Sequence, residues 1–198
     1  MTVEGVEPKR QRGHIRVAAI LQAASVLFVE QGFDAVTMTE IAARSRTAIG
    51  SLYRFFPTKE ILADVLLKRF GERVDTELTA VAKEAALLSI DALADALVDH
   101  AMAWAPDRAA ALVLIEARNI GGALRETIRD RILSRFGDIV AQINPALPDE
   151  AVKNKARLLQ QLLKLAAANS GDSRWGPEQA AEMRALIRLY LANRIAAA

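Results

Sequence analysis

The 198-residue chain has no cysteine and only two histidines, His14 and His100. Without cysteine there are no disulfides, thiolate metal clusters or thiol nucleophiles, and redox chemistry gives no clue to compartment. There is also no His-Glu-x-x-His pair, no glycine-rich phosphate loop and no nucleophile elbow. No catalytic constellation is recognisable, so the chain is not read as an enzyme and no cofactor or metal is expected. Long apolar runs are missing as well. Although 52% of the residues are hydrophobic, charges interrupt every stretch before the roughly 18 residues a membrane span needs, and no membrane partner is expected. Residues 1–12 are polar with a basic end. They lack the apolar core and cleavage site of a secretory signal and read as a flexible basic arm on a cytoplasmic protein. No segment alternates apolar and polar residues for long enough to argue a strand, so the fold class is all-α.

A formal net charge of +2 decides little, but its distribution is uneven. Pro8 to Glu60 carries eight basic residues (Lys9, Arg10, Arg12, Arg16, Arg44, Arg46, Arg54 and Lys59) against four acidic ones, whereas the chain from Ile61 onward is balanced. A basic head on a neutral body suits phosphate binding.

The periodicity within that head is helical. Ile20, Leu21, Ala24, Leu27 and Phe28 recur at the spacing of one buried face over about His14 to Gln31. Gly32 then stops the helix, with Phe33 placed to fold back on its last turn. Thr37-Met38-Thr39-Glu40 is a capping box that starts a second, short helix with Ile41 and Ala42 inward. A third runs from about Ala48 to Phe55, because Pro57 disfavours helix at the residue before it, and Thr58 caps a fourth. Three helices, the second and third short, with a core of Leu27, Phe28, Val36, Ile41, Leu52 and Phe56, make a helix-turn-helix unit. The domains expected are the arm at 1–12, a DNA-binding domain at 13–58, and a helical domain of about six helices at 59–198.

In helix-turn-helix geometry the third helix lies in the major groove. Arg46, Thr47, Ser51 and Arg54 are candidates for base edges, and Ala48 or Ile49 for a thymine methyl group. Tyr53, Lys59, Thr37 and Thr39 are candidates for phosphate. The bland readings stay open: the arginines grip phosphate or stand in water, Tyr53 is a core or edge aromatic, and Lys59 is a solvated lysine.

The segments at about Asp149 to Asn169 and Pro177 to Ile195 are the most apolar. Val152, Ala156, Leu159, Leu162, Leu163 and Ala166 line one; Met183, Leu186, Ile187, Tyr190 and Leu191 line the other. Both faces together exceed what a monomer of this size readily buries, which predicts a homodimer joined by a four-helix bundle. An ordinary intrachain core is the alternative.

The segment TMTEIAARSRTAIGSLYRFFPTKE, Thr37 to Glu60, resembles the DNA-binding region of tetracycline-repressor-like (TetR) regulators. Phe28, Gly32, Phe33, Thr37, Ile41, Ala42, Gly50, Leu52, Tyr53, Phe56, Lys59 and Glu60 sit where that family's pattern expects such residues. The resemblance implies phosphate-contacting roles for Tyr53 and Lys59. It also implies an effector-sensing body that moves the fourth helix. Where the family usually has Ala-Gly-Val-Ser, this chain has Ser45-Arg46-Thr47-Ala48. Arg46 thus occupies a turn that normally uses glycine, at a cost of about 1 kcal/mol if the backbone is left-handed, and Thr47 replaces an apolar core residue. Candidate effector contacts are Phe70, His100, Met102, Trp104, Glu116, Arg118 and Asn119, each of which also reads as structural; Trp175 could reach across a dimer. The function expected is a ligand-responsive transcriptional regulator, a repressor that binds a near-palindromic double-stranded operator as a dimer and is released by a small molecule. A helical dimeric partner protein of the same fold with impaired DNA binding is the alternative, and an activator or architectural role would look the same in sequence.

Overall fold

The computed structural model describes residues 11–117, 122–169 and 177–196. These form α1 (Gln11–Gln31), α2 (Met38–Arg44), α3 (Ile49–Phe55), α4 (Lys59–Glu84), α5 (Ile90–Ala103), α6 (Ala105–Ala117), α7 (Gly122–Ile143), α8 (Asp149–Asn169) and α9 (Pro177–Tyr190), with a π-helical continuation at Leu191–Ala196. No strand occurs among the described residues.

Contacts divide the chain into two compact units. The first holds the described residues up to Phe70 and those of α6 from Pro106; the second holds Gly71–Ala105 and the described residues from Gly122 onward. α4 runs through position 70 without a break. In the first unit Ile20, Phe28, Ile41, Leu52 and Leu62 are fully buried, each contributing about 1.5–3 kcal/mol. Ala111 and Leu114 of α6 join this core. The sequence reading had assigned them to the C-terminal domain, because periodicity shows that a helix has an apolar face but not what that face meets. α1 is the one helix among the described residues long and apolar enough to cross a membrane by length and composition; its Ile20, Leu21, Ala24, Leu27 and Phe28 lie in this core.

The second unit packs α7 on α8, and α5 on both α8 and α9. α5 begins at Ser89, whose hydroxyl accepts from the Ala92 amide and so satisfies one of the orphan donors of a helix start. Leu93, Leu97, Ile139, Val140, Leu159 and Ile187 are fully buried. Along the α5–α9 seam, Arg184 pairs with Asp95 and Asp99, and Arg188 pairs with Asp91.

Candidate nucleic-acid interface

Two turns set the pose of α2 and α3. Gly32, at φ +83°, ends α1 in the left-handed conformation open to glycine. Its amide donates to the Phe28 carbonyl at 3.0 Å, and Phe33 packs on the Phe28 ring at 5.3 Å. At the start of α2 the capping box is complete. The Thr37 amide and hydroxyl both donate to Glu40 Oε2 at 2.7 Å, and the Glu40 amide donates to Thr37 Oγ1 at 3.2 Å. The Thr37 side-chain and backbone hydrogen bonds hold the Glu40 carboxyl below its ordinary value. The Thr37 proton is thereby committed beside a carboxylate, and the residue shapes the helix start.

The turn between α2 and α3 is a Schellman motif. The Thr47 amide donates to Ala42 O at 2.9 Å and the Arg46 amide to Ala43 O at 3.1 Å, which satisfies two terminal carbonyls of α2. The motif requires a left-handed residue after the cap, and Arg46 supplies it at φ +50°, alone among the described non-glycine residues. The same geometry folds Thr47 back on the helix. Thr47 is buried, with its hydroxyl donating to Ser45 O at 3.3 Å, which leaves it little surface to offer a base.

Lys59 is likewise turned inward. Its ammonium donates to the carbonyls of Phe33 at 2.7 Å, Val36 at 2.8 Å and Asp34 at 3.2 Å, and it lies 4.5 Å from the centre of the Phe33 ring. Three donors meet three acceptors. Lys59 clamps the first turn of α4 to the loop between α1 and α2.

The remaining candidates form an exposed face. Thr39, Arg46, Ala48, Ile49, Tyr53 and Arg54 are all exposed, whereas Leu52 and Phe55 turn inward. Arg54 lies 5.1 Å above the Phe55 ring. Ser51 is half-buried and accepts a hydrogen bond from Arg16 Nη1 at 3.1 Å. Arg16 was missed in the sequence: it is exposed and lies on α1, 35 residues away, yet it sets a guanidinium beside α3. Arg44 instead makes a bidentate pair with Glu30 at 2.6 and 3.0 Å. Arg12 belongs to the first turn of α1, while Lys9 and Arg10 lie outside the described residues. The face thus offers three arginines, a phenol and small apolar groups, which is the chemistry of base-edge and phosphate recognition.

A model of the tetR family of bacterial regulatory proteins matches residues 20–66. Residues 20–66 are thus a tetR-type DNA-binding segment. Among its relatives is the HTH-type transcriptional repressor Rv3405c of Mycobacterium tuberculosis, 44% identical over 57 residues, which are 29% of this chain and 30% of that protein. The HTH-type transcriptional repressor KstR of Rhodococcus jostii is 42% identical over 57 residues, covering 29% and 27% respectively. The chain therefore matches less than a third of the length of these TetR relatives. A tetR-family regulatory protein from Rhodococcus RHA1 shares the fold over 90% of this chain and 96% of its own, with a TM-score of 0.65 at 22% identity.

The effector candidates are not gathered in one unit. Phe70 and Glu116 belong to the first, with Phe70 half-buried and Glu116 exposed; His100, Met102 and Trp104 belong to the second. Arg118, Asn119 and Trp175 lie outside the described residues. Trp104 is buried and its indole donates to Glu77 Oε2 at 2.6 Å; His100 Nδ1 lies 2.9 Å from the same oxygen and its ring stacks on Trp104 at 5.6 Å. Arg73 donates to Glu77 Oε1 at 2.9 Å. Burial pushes the Glu77 carboxyl up, but the Arg73 and Trp104 donors outweigh it and hold it below its ordinary value. His100 and Trp104 therefore have partners within the chain.

The dimer candidates also divide. Leu159, Leu163, Ala166, Met183, Ile187 and Leu191 are buried within the single chain, so the intrachain reading applies to them. Ala156 is buried as well. Val152, Leu162 and Tyr190 are half-buried and Leu186 is exposed. On these two helices the exposed large apolar side chains are Leu158 and Leu165 of α8 and Leu186 and Leu189 of α9, between 45% and 59% exposed. Near them is an open groove of about 330 Å³ lined by Ala151, Asn154, Lys155, Leu158, Tyr190 and Arg194. Tyr190 donates to Lys155 O at 3.1 Å, and Lys155 Nζ donates to Arg194 O.

Proposed function

We propose that the chain is a transcriptional repressor that binds a near-palindromic operator as a homodimer and is released by a small molecule. The observation that carries the reading is the exposed α3 face. Ile49, Tyr53 and Arg54 stand in solvent while Leu52 and Phe55 anchor the helix, and Arg16 and Arg46 add exposed cations at its flanks. Two relatives named as repressors match 57 residues of the chain at 44% and 42% identity. Operator DNA supplies acceptors for the arginines and phosphates for the Tyr53 hydroxyl. The four exposed leucines of α8 and α9 support dimerisation, because burying them against a twofold copy removes their apolar surface from water. A twofold pair presents its α3 helices about 34 to 36 Å apart, one turn of DNA. Release requires an effector whose affinity differs between two arrangements of the protein.

The test is binding of the purified chain to duplexes from upstream of its own and neighbouring genes at several salt concentrations, with its mass in solution measured in parallel. Specific, salt-sensitive binding by a dimer supports the proposal. A folded dimer that binds every duplex equally weakly favours the partner protein with impaired DNA binding.

A further inference from the structure

The outward face of α3 has a gap in its first turn. Gly50 is exposed, its φ lies outside the left-handed region, and a Cβ built on it meets no atom within 4 Å. Nothing among the described residues requires glycine there. Its backbone freedom is instead a loss on folding, because alanine in the same conformation leaves the unfolded chain fewer states. Tyr53 and Arg54, three and four residues on, share its side of the helix, and Ile49 flanks it. All three are exposed, so the absent side chain leaves a notch among an isoleucine, a tyrosine and an arginine of the same exposed face.

On the reading of α3 as the recognition helix, we propose that Gly50 is a specificity-determining position: its missing side chain lets the α3 backbone close on the major groove, so that a base edge enters the notch between Ile49, Tyr53 and Arg54. A methyl group at Gly50 would hold the helix off the groove floor and lengthen the Ile49, Tyr53 and Arg54 contacts together. Hydrogen bonds and apolar contacts to bases are lost over such a displacement. Charge attraction to phosphates decays slowly with distance and largely survives it. Gly50 therefore controls discrimination more than total affinity.

The experiment uses the full chain and its Gly50→Ala variant. A duplex enriched by the wild type from a random-sequence pool serves as the specific probe, and an unenriched duplex of equal length as the control. Gly50→Ala is expected to melt about 1 to 4 °C higher than the wild type. It should bind the enriched duplex about tenfold more weakly or worse, with control binding within about twofold. Equal affinity of variant and wild type for the enriched duplex overturns the inference and leaves the repressor reading standing. A lower melting temperature also overturns it, since the fold itself would then need the glycine. If the wild type enriches no duplex at all, the repressor reading fails and this inference fails with it.

Discussion

Replacing Lys59 by alanine separates two accounts of the first turn of α4. Its ammonium donates to three carbonyls and lies over the Phe33 ring. A hydrogen bond from a charged donor is worth about 1.5–3 kcal/mol when its acceptor is left unpaired, and a cation–π contact at an open site adds about 0.5–1 kcal/mol. These do not simply add. Lys59 is half-buried and water can reach part of the loop, so about 3 kcal/mol is the reasonable loss, roughly a 6 to 12 °C fall in Tm for a chain of this size. Lys59→Arg should recover only part of it, because a planar fork does not fit three converging carbonyls. Thermal unfolding followed by circular dichroism reads the first quantity. The second is the slope of log affinity for DNA against log salt, measured where the variant is still folded. A lost phosphate contact would make it shallower by about one; a clamp leaves it unchanged. An unaltered Tm together with a shallower slope would refute the clamp.

Three further outcomes are expected. Arg46→Gly removes the left-handed strain at φ +50° and should raise stability by about 1 kcal/mol; no gain in a denaturant titration would mean the turn is unstrained. Glu77 has a lowered carboxyl, so its contribution to stability is complete above the ordinary value of 4.5 and disappears as pH falls through the lower folded value. Glu77→Gln should therefore be less stable at neutral pH and lose less on acidification, and parallel Tm profiles for variant and wild type would count against the donor network. Leu158→Glu with Leu189→Glu should turn a dimer into a folded monomer in light scattering; a dimer that persists would place the interface elsewhere.

Much of the head is legible in sequence because its signals are local. Thr37 and Glu40 cap α2 from three residues apart, Gly32 ends α1 at the residue where the backbone turns left-handed, and Pro57 stops α3. What the sequence did not reveal concerns contacts distant in the chain. Lys59 finds carbonyls 23 to 26 residues earlier, and a lysine at a helix start gives no sign of that. Thr47 was counted as a base contact although its place after the left-handed residue of a Schellman turn buries it. On α8 and α9 alanine widens the apolar surface around each helix, so periodicity identified two apolar helices without saying which stripe faced inward. Leu159 and Leu163 took the core and left Leu158 and Leu165 outside. Glu77 carried no signal at all, since His100 and Trp104 reach it from 23 and 27 residues away.

The central claim is that the exposed face of α3 reads DNA. It is tested most directly by selecting duplexes from a random-sequence pool with the wild type and with Arg54→Ala. The account predicts that the wild type enriches one near-palindromic sequence, and that Arg54→Ala relaxes the preference at one pair of symmetry-related positions while the rest of the motif persists. A folded wild type that enriches no sequence, or an Arg54→Ala motif identical to the wild-type one, would contradict it.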